Sequence, residues 1–497
     1  MRKRLMILFF TVLFFFAALS GRLGYLSLSD AVSTADTFHS YSLVIDRTEP
    51  NIYTADGRLL TNNQSNYVVV LPPNEAAFSE LYKVFEGDEL TAVAQELAQG
   101  YPLVRPVDYF DGTTYLHPVA VNVSNSTCRQ LLNRSSSGLL TYLPESIGTM
   151  KISFPVDALG RVLNGAEGTI QDKDYTSKQG LKTTLHSQIQ QITYEAMCDV
   201  TSGCAVVMAV DSGDILACVT KPDDCYLNKP LQQYAVGSVF KIVVAACAIE
   251  NNMDIEYTCL SNITVGDTEY SCYDNHAHGM QHLKEALGNS CNCYFVNLGL
   301  HLGAERLLAT AEKLGFTAQT NLFADWFTDN ARLPSEEELR SNGELSLMSF
   351  GQGKLTATPI QFATLMATVA NHGIRQAPRL VTAEVDAAGR ETFLTDENGE
   401  QVMKEDNAEE LLDDLRYVVS DGNAKSADYH SQSAGKTATA QTGQYKGERE
   451  LLNCWFAGIF PYESPRYAVV IMVEDGEGGA KECCPIFRTI VENLDNM

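Results

Sequence analysis

Gly237-Ser238-Val239-Phe240-Lys241-Ile242-Val243-Val244-Ala245-Ala246-Cys247 is the stretch from which the rest of the chain falls into place. Gly237 allows a sharp entry, and the apolar run after Lys241 reads as a buried helix. Ser238 and Lys241 then share a face, one turn apart. A lysine in the first turn meets the positive end of the helix dipole and apolar neighbours, and both disfavour its ammonium form. A neutral amine there can take the proton of a serine hydroxyl. By itself the pattern is weak, since a chain of this length carries about one or two chance matches. A second match, Ser433-Ala434-Gly435-Lys436, has a central glycine that suits a strand or loop. Read alone, Ser238 is a helix N-cap beside an unrelated lysine.

Two later stretches change that reading. Ser290-Cys291-Asn292 places a hydroxyl and a carboxamide two positions apart, so that both can face one cleft. Such a hydroxyl can relay a proton to a leaving amine, and such an amide can hold a substrate peptide group. Taken singly, it is a polar helix-start turn after Gly288 and Asn289. Ser433 to Ala440, Ser-Ala-Gly-Lys-Thr-Ala-Thr-Ala, is small-residue text suited to an edge strand that lets a substrate backbone come close. Lys436 and Thr437 there suit a carboxylate. The specificity lies in the order and spacing of the three stretches together.

Working outward, residues 181–185 read as a strand running into a helix over 186–197. A hairpin follows, with arms at 204–210 and 215–220 and a turn at Asp211-Ser212-Gly213-Asp214. Two more strands are expected at 454–460 and 467–473, and a closing helix at 485–494. In the middle, Thr358-Pro359-Ile360-Gln361 is a capping-box start with proline at the first helical position, opening a helix that His372-Gly373 stops. Strands at both ends and helices between describe an α+β layer, an antiparallel sheet covered by helices from the centre of the sequence. Before residue 179 the text is mixed. It has a hairpin signal around Asp56-Gly57, an acidic helix over 86–99 and a Ser-rich patch at 135–138, and nothing catalytic.

At 497 residues the chain is too long for one core. Three parts are expected: a cytoplasmic tip and membrane anchor over 1–30, a non-catalytic N-terminal module over 31–178, and a catalytic domain over 179–497. Arg2, Lys3 and Arg4 precede an apolar run over 5–19, so the N-terminus stays inside and the remainder is exported. A cleaved signal, with Ala18-Leu19-Ser20 as its site, and a retained anchor both fit. The drift through Leu23, Tyr25, Leu26 and Leu28 favours the anchor. The net charge of -26 argues against nucleic-acid binding. Thirteen cysteines leave at least one unpaired. Cys259 and Cys272, flanking a short strand-like stretch, stand open as a disulfide or as free thiols. Cys272, His276, His278, His282, Cys291 and Cys293 are dense enough in ligands for zinc. Their loose spacing, and the place of Cys291 inside Ser-x-Asn, where an ion would obstruct the cleft, argue against a metal, and none is expected.

With these motifs in place, the chain resembles a class B penicillin-binding protein. The likeness runs through Gly237-Ser238-Val239-Phe240-Lys241, Ser290-Cys291-Asn292 with Phe295, Gly351-Gln352-Gly353 before Thr358-Pro359, Ala370-Asn371 with Gly373, Gly435-Lys436-Thr437 with Thr439-Ala440-Gln441, and Trp455-Phe456-Ala457-Gly458. It covers residues 180–497 strongly and the N-terminal module only loosely, through Asp56-Gly57-Arg58-Leu59-Leu60. The resemblance implies a penicillin-binding transpeptidase fold, an antiparallel sheet sandwiched by helices, with a smaller pedestal-like module and an anchor. It implies a peptidoglycan D,D-transpeptidase, inhibited by β-lactams, that acts on stem peptides. By position, Ser238 is the nucleophile, Lys241 the acylation base, Ser290 the proton relay and Asn292 the substrate clamp. Lys436 and Thr437 hold the terminal carboxylate, and the backbone N–H groups of Ser238 and Thr439 form the oxyanion hole. No metal or organic cofactor is implied. A multi-spanning membrane glycosyltransferase is the implied partner, since the chain shows no second catalytic domain. Elongation, division and sporulation are all served by such enzymes.

Ala438 departs from the family, which usually has glycine there. Its methyl is expected to crowd a β-lactam and slow acylation. Three other readings compete. A catalytically weak scaffold for a membrane glycosyltransferase draws on that irregular Ala438. A β-lactamase draws on Glu338-Leu339-Arg340-Ser341-Asn342, although Pro334-Ser335-Glu336-Glu337-Glu338 reads as the start of an acidic surface helix. A β-lactam sensor requires several apolar spans, and one is seen.

Overall fold

The computed structural model describes residues 2–28, 40–107, 116–123, 129–134, 138–157, 159–317, 319–395 and 399–497. The Ser-rich patch lies largely outside them. The chain forms two compact units, one of residues 1–49, 62–124 and 146–177, the other of 50–61, 125–145 and 178–497.

The first unit begins with helix α1 (Arg2–Leu28), which leaves Phe9, Phe10, Phe14, Phe15, Phe16 and Leu19 exposed. The described side chains of α1 run unbroken only over residues 9–22. Among the described residues no helix is long and apolar enough to cross a membrane. Strand β1 (Ser40–Thr48) is followed by β2 (Gln64–Leu71), helix α2 (Gly87–Leu97), β3 (Leu103–Val107), β4 (His117–Val123), β5 (Gly148–Pro155) and β6 (Thr169–Lys173). β2 lies between β3 and β4, and β5 between β1 and β6, all antiparallel. The continuous run Val68-Val69-Val70-Leu71 in β2 serves both sheet faces, because successive side chains alternate. Val69 and Leu71 pack with Leu81, Phe85, Val93 and Leu97, while Val68 and Val70 pack with Ile45, Val119, Ile152 and Phe154.

The second unit carries helix α3 (Ser187–Ala196), β7 (Gly203–Ala209), β8 (Ile215–Lys221), α4 (Lys241–Glu250), β9 (Tyr257–Cys259), β10 (Asn262–Val265), β11 (Thr268–Ser271) and β12 (Gly279–Gln281). It continues with α5 (Leu283–Gly288), α6 (Asn292–Leu302), α7 (Asn342–Ser349), α8 (Pro359–Ala370), α9 (Glu405–Ser420), β13 (Ala434–Lys446), β14 (Arg449–Phe460), β15 (Tyr467–Glu474) and α10 (Gly479–Asp495). Its main sheet is antiparallel in the order β8-β7-β15-β14-β13. The first and last strands of this region are therefore neighbours, as the α+β expectation requires.

The pleat of β14 shows how the layers stack. Phe456 points to Phe487 of α10, with ring centroids 4.7 Å apart, and the adjacent Trp455 points the other way, to Phe362 of α8 at 5.7 Å. Helices therefore cover both faces, and all four aromatic rings are fully buried. Each such burial contributes about 1.5–3 kcal/mol. α8 starts as its sequence dictates: Thr358 Oγ1 accepts from Gln361 N–H at 3.2 Å, and Gln361 Oε1 accepts from Thr358 N–H at 3.0 Å. The closing helix differs from expectation. It begins at Gly479, with Pro485 inside it. Gly479 sits there because a Cβ would fall 2.4 Å from the Trp455 carbonyl oxygen, so only glycine lets the helix start against the sheet.

Candidate active site

Ser238 lies in a 3-10 turn, Gly237–Phe240, that runs directly into α4. In such a turn residues three apart eclipse one another, which places Ser238 and Lys241 on one line. The turn is wedged on two sides. Gly237 has φ +60°, and a Cβ on it would come within 3.0 Å of Ala440 on β13. A Cβ on Gly351 would fall 1.8 Å from the Gly237 carbonyl oxygen. The nucleophile candidate is thus held against the strand that carries the third motif, and Ser238 itself is half-buried.

Lys241 has no exposed surface. Its Nζ donates to Ser290 O at 2.7 Å, to Asn292 Oδ1 at 2.7 Å and to Ser290 Oγ at 3.2 Å. Burial pulls the amine down to about 8, against a smaller opposing pull from the thiols of Cys291, Cys272 and Cys293. Ser290 sits at φ +54°, an uncommon conformation for a non-glycine residue, in the tight link between α5 and α6. Through that link its carbonyl and hydroxyl both meet Lys241. Asn292 is the first residue of α6, and its Nδ2 donates to Ser271 O at 2.9 Å. Its amide orientation is therefore fixed at both ends. Cys291, between the two, is fully buried and caps α6, its Sγ accepting from Tyr294 N–H at 3.4 Å.

Lys436, on β13, is fully buried and donates to Thr437 O at 3.0 Å. Burial first, and the neighbouring Lys241 second, push its amine well below the ordinary lysine range. Thr437 Oγ1 donates to Asn423 Oδ1 at 3.0 Å, and Thr439 Oγ1 accepts from Gly479 N–H at 3.3 Å. Arg416 pins the start of β13, donating to Ser433 O at 2.6 Å and to Asp428 at 2.8 Å. The second Ser-x-x-Lys match is part of this strand, with Ser433 Oγ taken by Tyr429 N–H. Ala438 shares its pleat side with Lys436 and Ala440 and is only 3% exposed, so its methyl is packed among neighbours.

The three motifs therefore meet. A serine hydroxyl, a buried amine of lowered basicity, a second hydroxyl, a carboxamide and a lysine-threonine pair occupy adjoining elements. Glu338, the β-lactamase candidate, is at the surface, where Lys354 and Ser335 hold its carboxylate down to about 2. Sequence reasoning passed over Asn423 and the Ser271 carbonyl, which no motif marks.

The cysteines lie closer together than their places in the sequence suggest. The spacing that looked loose closes up in space: ligand atoms of Cys259, Cys272, His278 and Cys291 all lie within 4.8 Å of one another. Cys259 Sγ and Cys272 Sγ are 3.7 Å apart and unbonded. A disulfide requires about 2.05 Å. The sulfur of Cys291 turns inward to this cluster while Ser290 and Asn292 face Lys241, so the cluster does not obstruct the cleft.

Comparison with known proteins agrees with this geometry. Residues 203–492 match the family model described as the penicillin binding protein transpeptidase domain. The chain is 27% identical over 396 residues to stage V sporulation protein D of Bacillus subtilis, covering 73% of this chain and 60% of that one. It is 25% identical over 420 residues to a peptidoglycan D,D-transpeptidase FtsI homolog of Mesostigma viride, covering 73% and 69%. The fold is shared with the D,D-transpeptidase domain of a peptidoglycan glycosyltransferase from Eggerthella lenta (TM-score 0.65, 23% identity, 91% of this chain and 99% of that one). It is shared as well with penicillin-binding protein A of M. tuberculosis, solved as a ceftriaxone acyl-enzyme complex (TM-score 0.58, 23% identity, 63% and 79%). The family match spans more than half of the chain and falls on the unit that carries all three motifs, so the protein belongs to the penicillin-binding transpeptidase family, as a class B penicillin-binding protein.

Proposed function

We propose that the protein is a peptidoglycan D,D-transpeptidase working through a Ser238 acyl-enzyme. The observation that carries this reading is the buried Lys241 amine bonded to both Ser290 and Asn292. Ser238 Oγ attacks the carbonyl of the penultimate D-alanine of a donor stem peptide, and Lys241 takes its proton. The C–N bond to the terminal D-alanine breaks, and Ser290 relays a proton to the departing amine. An acceptor amine then attacks the ester, its proton returns to the Ser238 oxygen, and the cross-link forms. Asn292 holds the donor peptide group, Lys436 and Thr437 hold its carboxylate, and the N–H groups of Ser238 and Thr439 bind the developing oxyanion. A β-lactam enters by the same attack, as the acyl-enzyme of the mycobacterial relative illustrates for that protein.

The membrane placement draws on charge and hydropathy, and the pedestal and partner draw on the family resemblance. On the sequence pattern, the basic tip and the apolar run over 5–19 anchor the chain in the cytoplasmic membrane, with the N-terminus inside and residues 31–497 outside. The unit of residues 1–49, 62–124 and 146–177 serves as a pedestal, and, as the family resemblance implies, a multi-spanning glycosyltransferase supplies glycan strands. The test is release of D-alanine from a stem pentapeptide or a depsipeptide analogue, with product mass spectrometry. Wild type releases D-alanine and forms the cross-linked product, and Ser238→Ala loses both by at least about 10³-fold. Equal turnover by the variant would remove Ser238 from the mechanism.

A further inference from the structure

The cysteine and histidine cluster behind the Ser-x-Asn turn has a geometry that bears on a ligand. In a tetrahedral zinc site, Zn–S bonds of about 2.3 Å and Zn–N bonds of about 2.0 Å place sulfurs about 3.8 Å apart and sulfur and nitrogen about 3.6 Å apart. Cys259 Sγ to Cys272 Sγ is 3.7 Å, Cys272 Sγ to Cys291 Sγ is 3.6 Å, and Cys259 Sγ to His278 Nδ1 is 3.5 Å. These three separations match the tetrahedral values, and all four ligand atoms lie within 4.8 Å of one another. Three of the four ligands are buried. The Tyr294 N–H that points at the Cys291 sulfur is the kind of outer contact that supports a metal thiolate.

The surrounding chain needs such a tie. Residues 259–281 form an excursion of two small strand pairs, β9 with β12 and β10 with β11. It exposes Leu260, Tyr273 and Met280, and it turns through positive φ at Ser261, Gly266, Asp274, Asn275 and Gly279. A segment this short buries too little apolar surface to hold its own shape.

We propose that Cys259, Cys272, His278 and Cys291 bind one zinc ion as a closed, four-coordinate structural site, and that this ion positions Asn292 of the active site. Two contacts make the connection. Cys272, a ligand, follows Ser271, whose carbonyl accepts from Asn292 Nδ2, and Cys291, a second ligand, lies between Ser290 and Asn292. The ion fixes the excursion, the excursion fixes the carboxamide, and the carboxamide meets Lys241. With four protein ligands no coordination position is left for substrate, so the ion acts on geometry and not as a Lewis acid. Cys293 Sγ, 3.5 Å from Cys272 Sγ, stands outside the set of four.

The test uses the full chain purified in detergent. Elemental analysis is expected to find one zinc per chain, and cobalt substitution to give the intense absorption of a tetrahedral thiolate site. Cys259→Ser and His278→Ala should each weaken zinc binding by more than about tenfold, while His278→Cys and Cys293→Ser retain the ion. Removing the ion with a chelator should slow fluorescent penicillin labelling of Ser238 by at least about tenfold, reversibly on zinc return. The positioning role rests on the transpeptidase reading, whereas the metal site does not. Ser238→Ala should abolish labelling and keep its zinc. Metal-free protein with freely titrating thiols, or Cys259→Ser and His278→Ala proteins that both keep a full equivalent, would overturn the site. Apo protein that labels as fast as the loaded form would overturn its role in placing Asn292.

Discussion

Lys241 concentrates the chemistry in one side chain, because burial lowers its basicity and three acceptors fix its position. Only the neutral amine can take the Ser238 proton, so the direction of the pH dependence follows from the lowered value. Penicillin acylation kcat/KM is expected to climb about tenfold per pH unit below about 8 and to level off above it. Lys241→Arg keeps a cation that does not deprotonate, and should lose at least about 10²-fold across the range. A rate flat from pH 6 to 9 would remove Lys241 as the base. Ala438→Gly takes away a buried methyl from the pleat side shared with Lys436, and is expected to raise the penicillin acylation rate; no gain would count against crowding. At this scale the sequence was readable where chemistry needs a fixed short spacing, as with Ser238 and Lys241. It was unreadable where partners come from distant turns. Asn423 meets Thr437 across a loop, and Cys259 and Cys291 meet only after two hairpins have folded between them.

Among the elements, α6 links packing to the site, since it starts at Asn292 and its Gly299 lies against α7. A Cβ at Gly299 would fall 1.8 Å from Ser349 Oγ. Gly299→Ala should therefore cost about 1–3 kcal/mol, less the roughly 1 kcal/mol by which alanine favours a helix over glycine. In a unit of this size the melting temperature should fall by up to about 3 °C, with slower penicillin labelling as α6 shifts. An unchanged melting curve would show that the helix pair tolerates the methyl. Elements with local signals were legible: the capping box of α8, and the strands β7, β8, β14 and β15 with their unbroken apolar runs. The start of α10 was not: the helix was expected from residue 485, whereas its true start depends on Gly479 fitting under the Trp455 carbonyl, a tertiary contact.

For the whole molecule, the order of three short motifs fixes the catalytic unit, since strands from both ends of residues 203–474 must pair in one sheet before Lys436 can meet Lys241. The N-terminal unit gave no fold from sequence because β2 is buried on both faces, and an unbroken Val-Val-Val-Leu run does not say which sheet or helix covers it. Whether Ser238 is the nucleophile is tested by intact mass of the full chain after penicillin treatment, followed by peptide mapping of the adduct. One penicilloyl group per chain is expected, on Ser238, and none in Ser238→Ala. An unmodified chain, or an adduct on any other residue, would contradict it.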